Sequence, residues 1–264
     1  IALGADLVHV YLDVPGAGAL PDGLPRHPRL KISRCDAAFW HQDAAPRPDR
    51  LEDRQLRCAS RTLADAADDL DWLCHLEADE FLVSHRPVAE TLAAAPPEAA
   101  WARIASLEAL AVETGAPRHF KRPPGDAGQP ETALTEVYPG FGDALPAGFL
   151  GPSEGRPFVR TRIPDCRLGL RGLYHGEAEI ANVAPLPALQ LAHLHAPSWQ
   201  AVRETLGMAG ATDDPQAEGD LRAFFDAVCA DSPALRARLA ARGMLVAHDL
   251  ALDETMRAVF GVTP

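Results

Sequence analysis

Asp71-Trp72-Leu73-Cys74-His75-Leu76-Glu77-Ala78-Asp79-Glu80-Phe81-Leu82 is a short apolar run that breaks into three acids. Apolar residues of strand length followed by carboxylates place those carboxylates at the C-terminal edge of a sheet, where open α/β folds bind ligands. Glu77 and Asp79 stand one residue apart and offer oxygen ligands that suit magnesium or manganese, and such an ion can neutralise a diphosphate. As an isolated pattern the triplet also fits a solvated loop or the first turn of a helix. The apolar residues ahead of it set it apart from an ordinary charged run.

The segments before this stretch read as alternating strands and helices. Leu7-Val8-His9-Val10-Tyr11-Leu12 has the composition of a buried strand, closed by Asp13 and the turn-forming Val14-Pro15-Gly16-Ala17-Gly18. Leu30 to Cys35 predicts a second strand. Between Leu51 and Leu70, apolar Leu56, Ala59, Leu63, Ala67 and Leu70 recur at helical spacing opposite Arg, Asp and Glu, which predicts an amphipathic helix leading into the Trp72 strand. Strand, strand, helix, strand is the signature of the α/β class. The chain opens on Ile1-Ala2-Leu3-Gly4, which reads as a helix end, so a strand of the fold is expected upstream of residue 1.

Beyond the acids, Pro87 to Ala95 predicts a short helix and Trp101 to Leu107 a strand. Pro and Gly are frequent from Gly115 to Gly155, which disfavours long regular elements and predicts a functional loop or flap. Phe158 to Thr161, Leu168 to Leu170 and Ala188 to His195 read as strands. From Ser198 the pattern turns helical, over Trp199 to Met208, Asp220 to Cys229, Ser232 to Arg242 and Asp253 to Phe260. Ser232 before Pro233 is a cap followed by a first-turn proline, and Gly243 supplies a stop. The expected division is a sheet domain over 1–197 and a helical C-terminal extension over 198–264.

Bulk properties narrow the partners. The 264 residues are 47% hydrophobic and carry a formal net charge of -12, which supports a sizeable core and argues against wrapping a nucleic acid. Cys35, Cys58, Cys74, Cys166 and Cys229 lack metal-type spacing and are odd in number, so reduced thiols in a cytoplasmic setting are expected. No apolar run approaches the roughly eighteen residues of a spanning helix. Peripheral contact with a membrane stays open, as does the oligomeric state.

The stretch from Asp49 to Val83 resembles the glycosyltransferase family 2 group, in particular its branch close to family 92, whose members carry a sequence like "DWLLHLDADEFL". Leu3-Gly4-Ala5-Asp6-Leu7-Val8-His9-Val10-Tyr11 is similar to that family's second strand after an "ALG" helix end. Gly148-Phe149-Leu150-Gly151-Pro152-Ser153-Glu154-Gly155-Arg156-Pro157-Phe158-Val159-Arg160 resembles its "G-K-S-hydrophobic-V-R" segment, and His193-Leu194-His195-Ala196-Pro197-Ser198-Trp199 its "H-Y-x-x-K-S" segment. The resemblance implies a GT-A fold, a Rossmann-like mixed sheet that binds a nucleotide-diphosphate sugar with Mn2+ or Mg2+. It further implies transfer of the sugar, with inversion, to a saccharide or glycolipid acceptor.

Carried to this chain, the resemblance makes Asp79 the metal ligand that faces the donor diphosphate. Glu77, where relatives have Asp, becomes a metal or donor contact. His193 is implied as a third metal ligand, with His195, on the same strand face, as its substitute, and a structural histidine closing the last strand is the competing reading. Arg156, in place of a Lys, and Arg160 are implied to hold the donor phosphates, since a guanidinium grips phosphate oxygens in pairs. Asp13 is a donor-site candidate on a loop that lacks the family's polar run.

Inverting transfer needs a general base near the acceptor hydroxyl. Glu108 is the first candidate for it, with Glu113 and Glu154 behind. The departures at Glu77, Arg156, Arg171 and the Asp13 loop keep a second reading in view, a non-catalytic nucleotide-sugar-binding module. A metal-dependent phosphoesterase is weaker, because the dense His and Asp cluster of a two-metal centre is missing from the sequence.

Overall fold

A computed structural model describes residues 1–13, 26–42, 46–66, 68–205 and 215–250. In chain order the strands are β1 (Val8–Leu12), β2 (Leu30–Arg34), β3 (Trp72–Cys74), β4 (Glu80–Ser84), β5 (Trp101–Ala109), β6 (His119–Lys121), β7 (Arg156–Arg160), β8 (Arg167–Leu168), β9 (Leu173–His175), β10 (Ala178–Glu179), β11 (Val183–His193) and β12 (Leu245–Ala247). The α-helices are α1 (Ala37–His41), α2 (Leu51–Ala66), α3 (Val88–Ala93), α4 (Ala133–Val137), α5 (Trp199–Thr205), α6 (Pro215–Phe224) and α7 (Pro233–Ala241). Parallel and antiparallel pairs both occur, so the α/β class holds in its mixed form. Two compact units are formed. One comprises Ile1–His75, Ser84–Arg103 and Arg156–Leu189; the other comprises Leu76–Val83, Ile104–Gly155 and the chain from Gln190 onward.

In the first unit β1 pairs parallel with β2, Val8 opposite Leu30. Asp36 caps α1 by accepting the Phe39 N–H at 2.9 Å, which satisfies a donor left open at the helix start. That short helix delivers Phe39 and Trp40 into a small core with Cys35 and Cys58, and Tyr11 packs on it. α2 buries Cys58, Ala59, Thr62 and Leu63, the one face that a spacing of three and four selects. β3 pairs antiparallel with β7, and Ala59, Leu63, Trp101, Val159, Leu168 and Leu173 form a second cluster there.

The second unit, which holds β5 from Ile104 and β11 from Gln190, has the strand order β12-β6-β5-β11-β4. β6 runs antiparallel to β5 and to β12. One core gathers Leu107, Ala109, Phe120, Ala192 and Leu194. A larger one joins Leu110, Leu134, Val137, Tyr138, Val202, Phe225, Val228, Leu235 and Leu239. Each Leu, Val or Phe among them, fully buried, contributes roughly 1.5–3 kcal/mol relative to exposure. Ser232 caps α7 by accepting the Leu235 N–H at 3.2 Å, and Gly243 ends the segment at φ 66°, in the left-handed region that glycine enters without strain.

Several elements differ from the sequence reading. β11 begins at Val183, ahead of the expected Ala188: Pro185 and Pro187 fall on its exposed face while Ala184 and Leu186 point inward, so the strand alternation continues through the two prolines that break the apolar run. The Pro- and Gly-rich region holds β6, α4 and three 3-10 turns. The segment read as wholly helical after Ser198 also contains β12, and from Gln190 onward it shares a unit with the acidic stretch. Phe225 to Cys229 continues α6 as a π-helical turn. The expected helix Asp253 to Phe260, the end of the helix expected to reach Met208, and the turn Val14 to Gly18 lie outside the described residues. Among the described residues no helix is long and apolar enough to cross a membrane.

Candidate metal centre

The acids lie on the connection between β3 and β4, with Asp79 in a turn and Glu80 opening β4. Two backbone bonds shape this loop. The Glu80 N–H donates to the Glu77 carbonyl at 3.2 Å, and the Leu194 N–H, just past β11, donates to the Asp79 carbonyl at 2.9 Å. The second bond registers the loop against the end of β11 and so sets Asp79 beside His193. A third contact closes the loop on itself, since the Glu77 N–H donates to Oε2 of the buried Glu80 at 2.8 Å.

His193 is 3% exposed, and its Nε2 stands 3.4 Å from Oδ2 of Asp79. That separation is long for a hydrogen bond, and among the described residues Nε2 meets no partner in hydrogen-bonding geometry. Burial pushes the Asp79 carboxyl up, but the facing imidazole outweighs it and holds the pKa below the usual carboxylate range. Burial likewise pushes the His193 imidazole down, and Asp79 outweighs that and raises it. The ring of His195 lies 5.1 Å from that of His193. Among the described residues two sets of side chains could hold a metal ion: Asp79, His193 and His195, and Glu77, Glu80 and His193, each with ligand atoms within 4.8 Å of one another. A buried ring nitrogen without a partner, facing a carboxylate, is the arrangement an ion would complete.

Glu108, on β5 in the same unit, has a different setting. It is 2% exposed, its Oε1 lies 2.9 Å from Nζ of Lys121, and its oxygens accept the N–H groups of Leu150, at 3.0 Å, and Gly151, at 2.7 Å. Burial pushes this carboxyl up, yet Lys121 and the two amides outweigh it and hold the pKa below the usual range. Its lone pairs are thus engaged by three protein donors. Glu154 is exposed on the segment before β7. Gly155 follows it at φ 71°, where a Cβ would stand 1.8 Å from the Ile104 carbonyl oxygen, so only glycine fits.

Asp13, Arg156 and Arg160 belong to the first unit and are engaged within it. Asp13 pairs with Arg47 and Arg54, both at 2.7 Å. Arg156 is buried and donates to the Leu170 carbonyl at 3.3 Å. Arg160 donates to the Ala99 carbonyl at 2.9 Å and stacks its guanidinium over Trp72, 4.3 Å from the ring centre.

Of the residues singled out in the sequence, the structure gathers Glu77, Asp79, His193 and His195 at one place, and it adds Glu80. Glu80 was visible as the third acid of the run, but nothing in the run showed that it turns inward. Lys121 and Tyr138, which flank Glu108, carried no signal, since they sit in the region where Pro and Gly erase periodicity. No protein-family model, curated protein or solved structure matches the chain.

Proposed function

We propose that the protein is a metal-dependent glycosyltransferase with a GT-A type sheet. It would move a sugar from a nucleotide-diphosphate donor to a saccharide or glycolipid acceptor, with inversion at the anomeric carbon. The observation that carries this reading is Nε2 of buried His193, which has no hydrogen-bond partner among the described residues and faces the Asp79 carboxylate on an acidic loop that follows a short apolar strand. Asp79 and His193, with Glu77 or His195 beside them, would hold Mn2+ or Mg2+. When bound, the cation supplies positive charge against the diphosphate, whose negative charge grows as the sugar leaves.

The residues themselves divide the remaining work. An acceptor hydroxyl oxygen bonds to the anomeric carbon while the bond from that carbon to the diphosphate oxygen breaks, and the nucleoside diphosphate leaves with the electron pair. The hydroxyl proton passes to a carboxylate. Glu154, exposed, is the candidate a substrate hydroxyl reaches, whereas Glu108 is closed in by Lys121, Leu150 and Gly151 and serves to hold the loop. Asp79 would hold the cation beside the donor diphosphate as a carboxylate, the form that the facing His193 imidazole favours.

One set of contacts favours a second reading, a nucleotide-sugar-binding module without turnover. Asp13 is tied to Arg47 and Arg54, and Arg156 to the Leu170 carbonyl, so the donor-site candidates of the first unit are spent on internal bonds. A thermal-shift panel of nucleotides and nucleotide sugars, each with and without Mn2+, separates these readings when paired with an assay for donor hydrolysis. A metal-dependent rise in Tm with slow hydrolysis supports the transferase, and a rise without hydrolysis supports the module. No shift with any donor overturns both.

A further inference from the structure

His193 belongs to both candidate ligand sets, yet a neutral imidazole offers one lone pair to a metal, so the two sets are alternatives. They differ in chemistry. Glu77, Glu80 and His193 make an oxygen-rich site of the kind that accepts magnesium, while Asp79, His193 and His195 bring two imidazoles, which suit later dications such as zinc, cobalt and iron.

Three observations favour the second set. The first is that Oε2 of Glu80 already accepts the Glu77 N–H at 2.8 Å, so part of the oxygen-rich set is used to close its own loop. The second is the 3.4 Å between Nε2 of His193 and Oδ2 of Asp79. Two ligand atoms, each about 2.1 Å from a common centre, stand about 3.4 Å apart when they subtend a tetrahedral angle. The third is the support behind His195. A Cβ at Gly151 would lie 3.0 Å from Cγ and 3.1 Å from Cδ2 of His195, so the bare backbone of Gly151 lets the ring sit where it does. Gly151 is itself fixed by its N–H bond to Glu108 at 2.7 Å. A ligand ring backed by an anchored loop is held in place before any ion arrives.

We propose that the ion is held by Asp79, His193 and His195, and that the site consequently selects a borderline transition-metal dication over Mg2+. This rests on reading the acidic loop as a metal centre and does not depend on sugar transfer. Glu77 and Glu80 then shape the loop, and His195 replaces Glu77 as the third ligand.

The test is calorimetric titration of the metal-stripped full chain with CoCl2, ZnCl2, MnCl2 and MgCl2 in the absence of any nucleotide, together with the visible absorption of the Co2+ form. Co2+ and Zn2+ are expected to bind more than about tenfold tighter than Mg2+. His195→Ala and the bulkier His195→Gln are both expected to weaken Co2+ by at least about tenfold, and Glu77→Gln to leave it within about threefold. Circular dichroism confirms that each variant is folded, and the two His195 substitutions guard against loss of one of them. Mg2+ binding as tight as Co2+, or loss of the ion in Glu77→Gln with His195→Ala unchanged, would overturn the assignment while leaving a metal centre. A thiolate charge-transfer band would place Co2+ on the cysteines and overturn it too. Absence of binding by all four ions would remove the metal reading of the loop altogether.

Discussion

Nζ of Lys121 lies 2.9 Å from Oε1 of Glu108, and both side chains are all but excluded from solvent. The pair carries the loop at Leu150 and Gly151, and the Lys121 ammonium also faces the rings of Tyr138, at 5.5 Å, and Phe149, at 5.9 Å. Removing one partner leaves an uncompensated charge in the core. Glu108→Ala is expected to cost about 3–5 kcal/mol. Glu108→Ala combined with Lys121→Met is expected to recover much of that loss, since no buried charge then remains. Urea denaturation of the two variants checks both, and a loss under about 1 kcal/mol in the single variant would contradict the role given to the pair.

The same carboxylate predicts an acid-sensitive fold. The folded-state pKa of Glu108 is depressed, so its contribution is present in full above the unfolded value of about 4.3 and is lost as pH falls through the lower folded value. Unfolding free energy should decline below about pH 4.3. Glu108→Gln, less stable at neutral pH, should decline less steeply there. Asp79 and Asp13 shift in the same direction and keep some slope in that variant. Parallel pH curves for the two proteins would contradict the account.

Gly155→Ala should be strongly destabilising. The added methyl meets the Ile104 carbonyl at 1.8 Å, and the φ of 71° disfavours any Cβ. A loss above about 2 kcal/mol is expected from backbone strain and clash together. Gly128→Ala, also at positive φ but with nothing within 4 Å, serves as the comparison and should lose less. Thermal melts of the pair read out the difference.

Ser232→Ala removes the acceptor for the Leu235 N–H at the start of α7. The expected cost is about 1 kcal/mol. Ser232→Asp should restore most of it, because a carboxylate accepts the same bond and favours the helix N-terminus. Chemical denaturation distinguishes a cap from a bystander.

How far the sequence disclosed these features depended on the local physics of each. β1, β2, α2 and β5 were legible within a few residues, because an apolar run or a repeating apolar face is a direct image of burial. The Ser232 cap and the Gly243 stop were legible because their chemistry is local. The start of β11 was hidden by Pro185 and Pro187, which read as strand breakers although the inward alternation of Ala184 and Leu186 continues through them. β6 and β12 are three residues each and pair with one another from distant parts of the chain, which no window reveals. At the site, the acids and His193 stood out as residue types, whereas the burial of Glu80, the Lys121 partner of Glu108 and the Gly151 contact with His195 follow from tertiary packing alone.

In the proposed function, Asp79 binds a nucleotide-diphosphate sugar through a divalent metal. Calorimetric titration of nucleotide-diphosphate sugars into the full chain with Mn2+, repeated for Asp79→Ala, tests it most directly. Binding that requires Mn2+ in the unmodified protein and vanishes in Asp79→Ala is the expected result, with His193→Ala at least about tenfold weaker. Equal affinity in the presence and absence of Asp79 would contradict it.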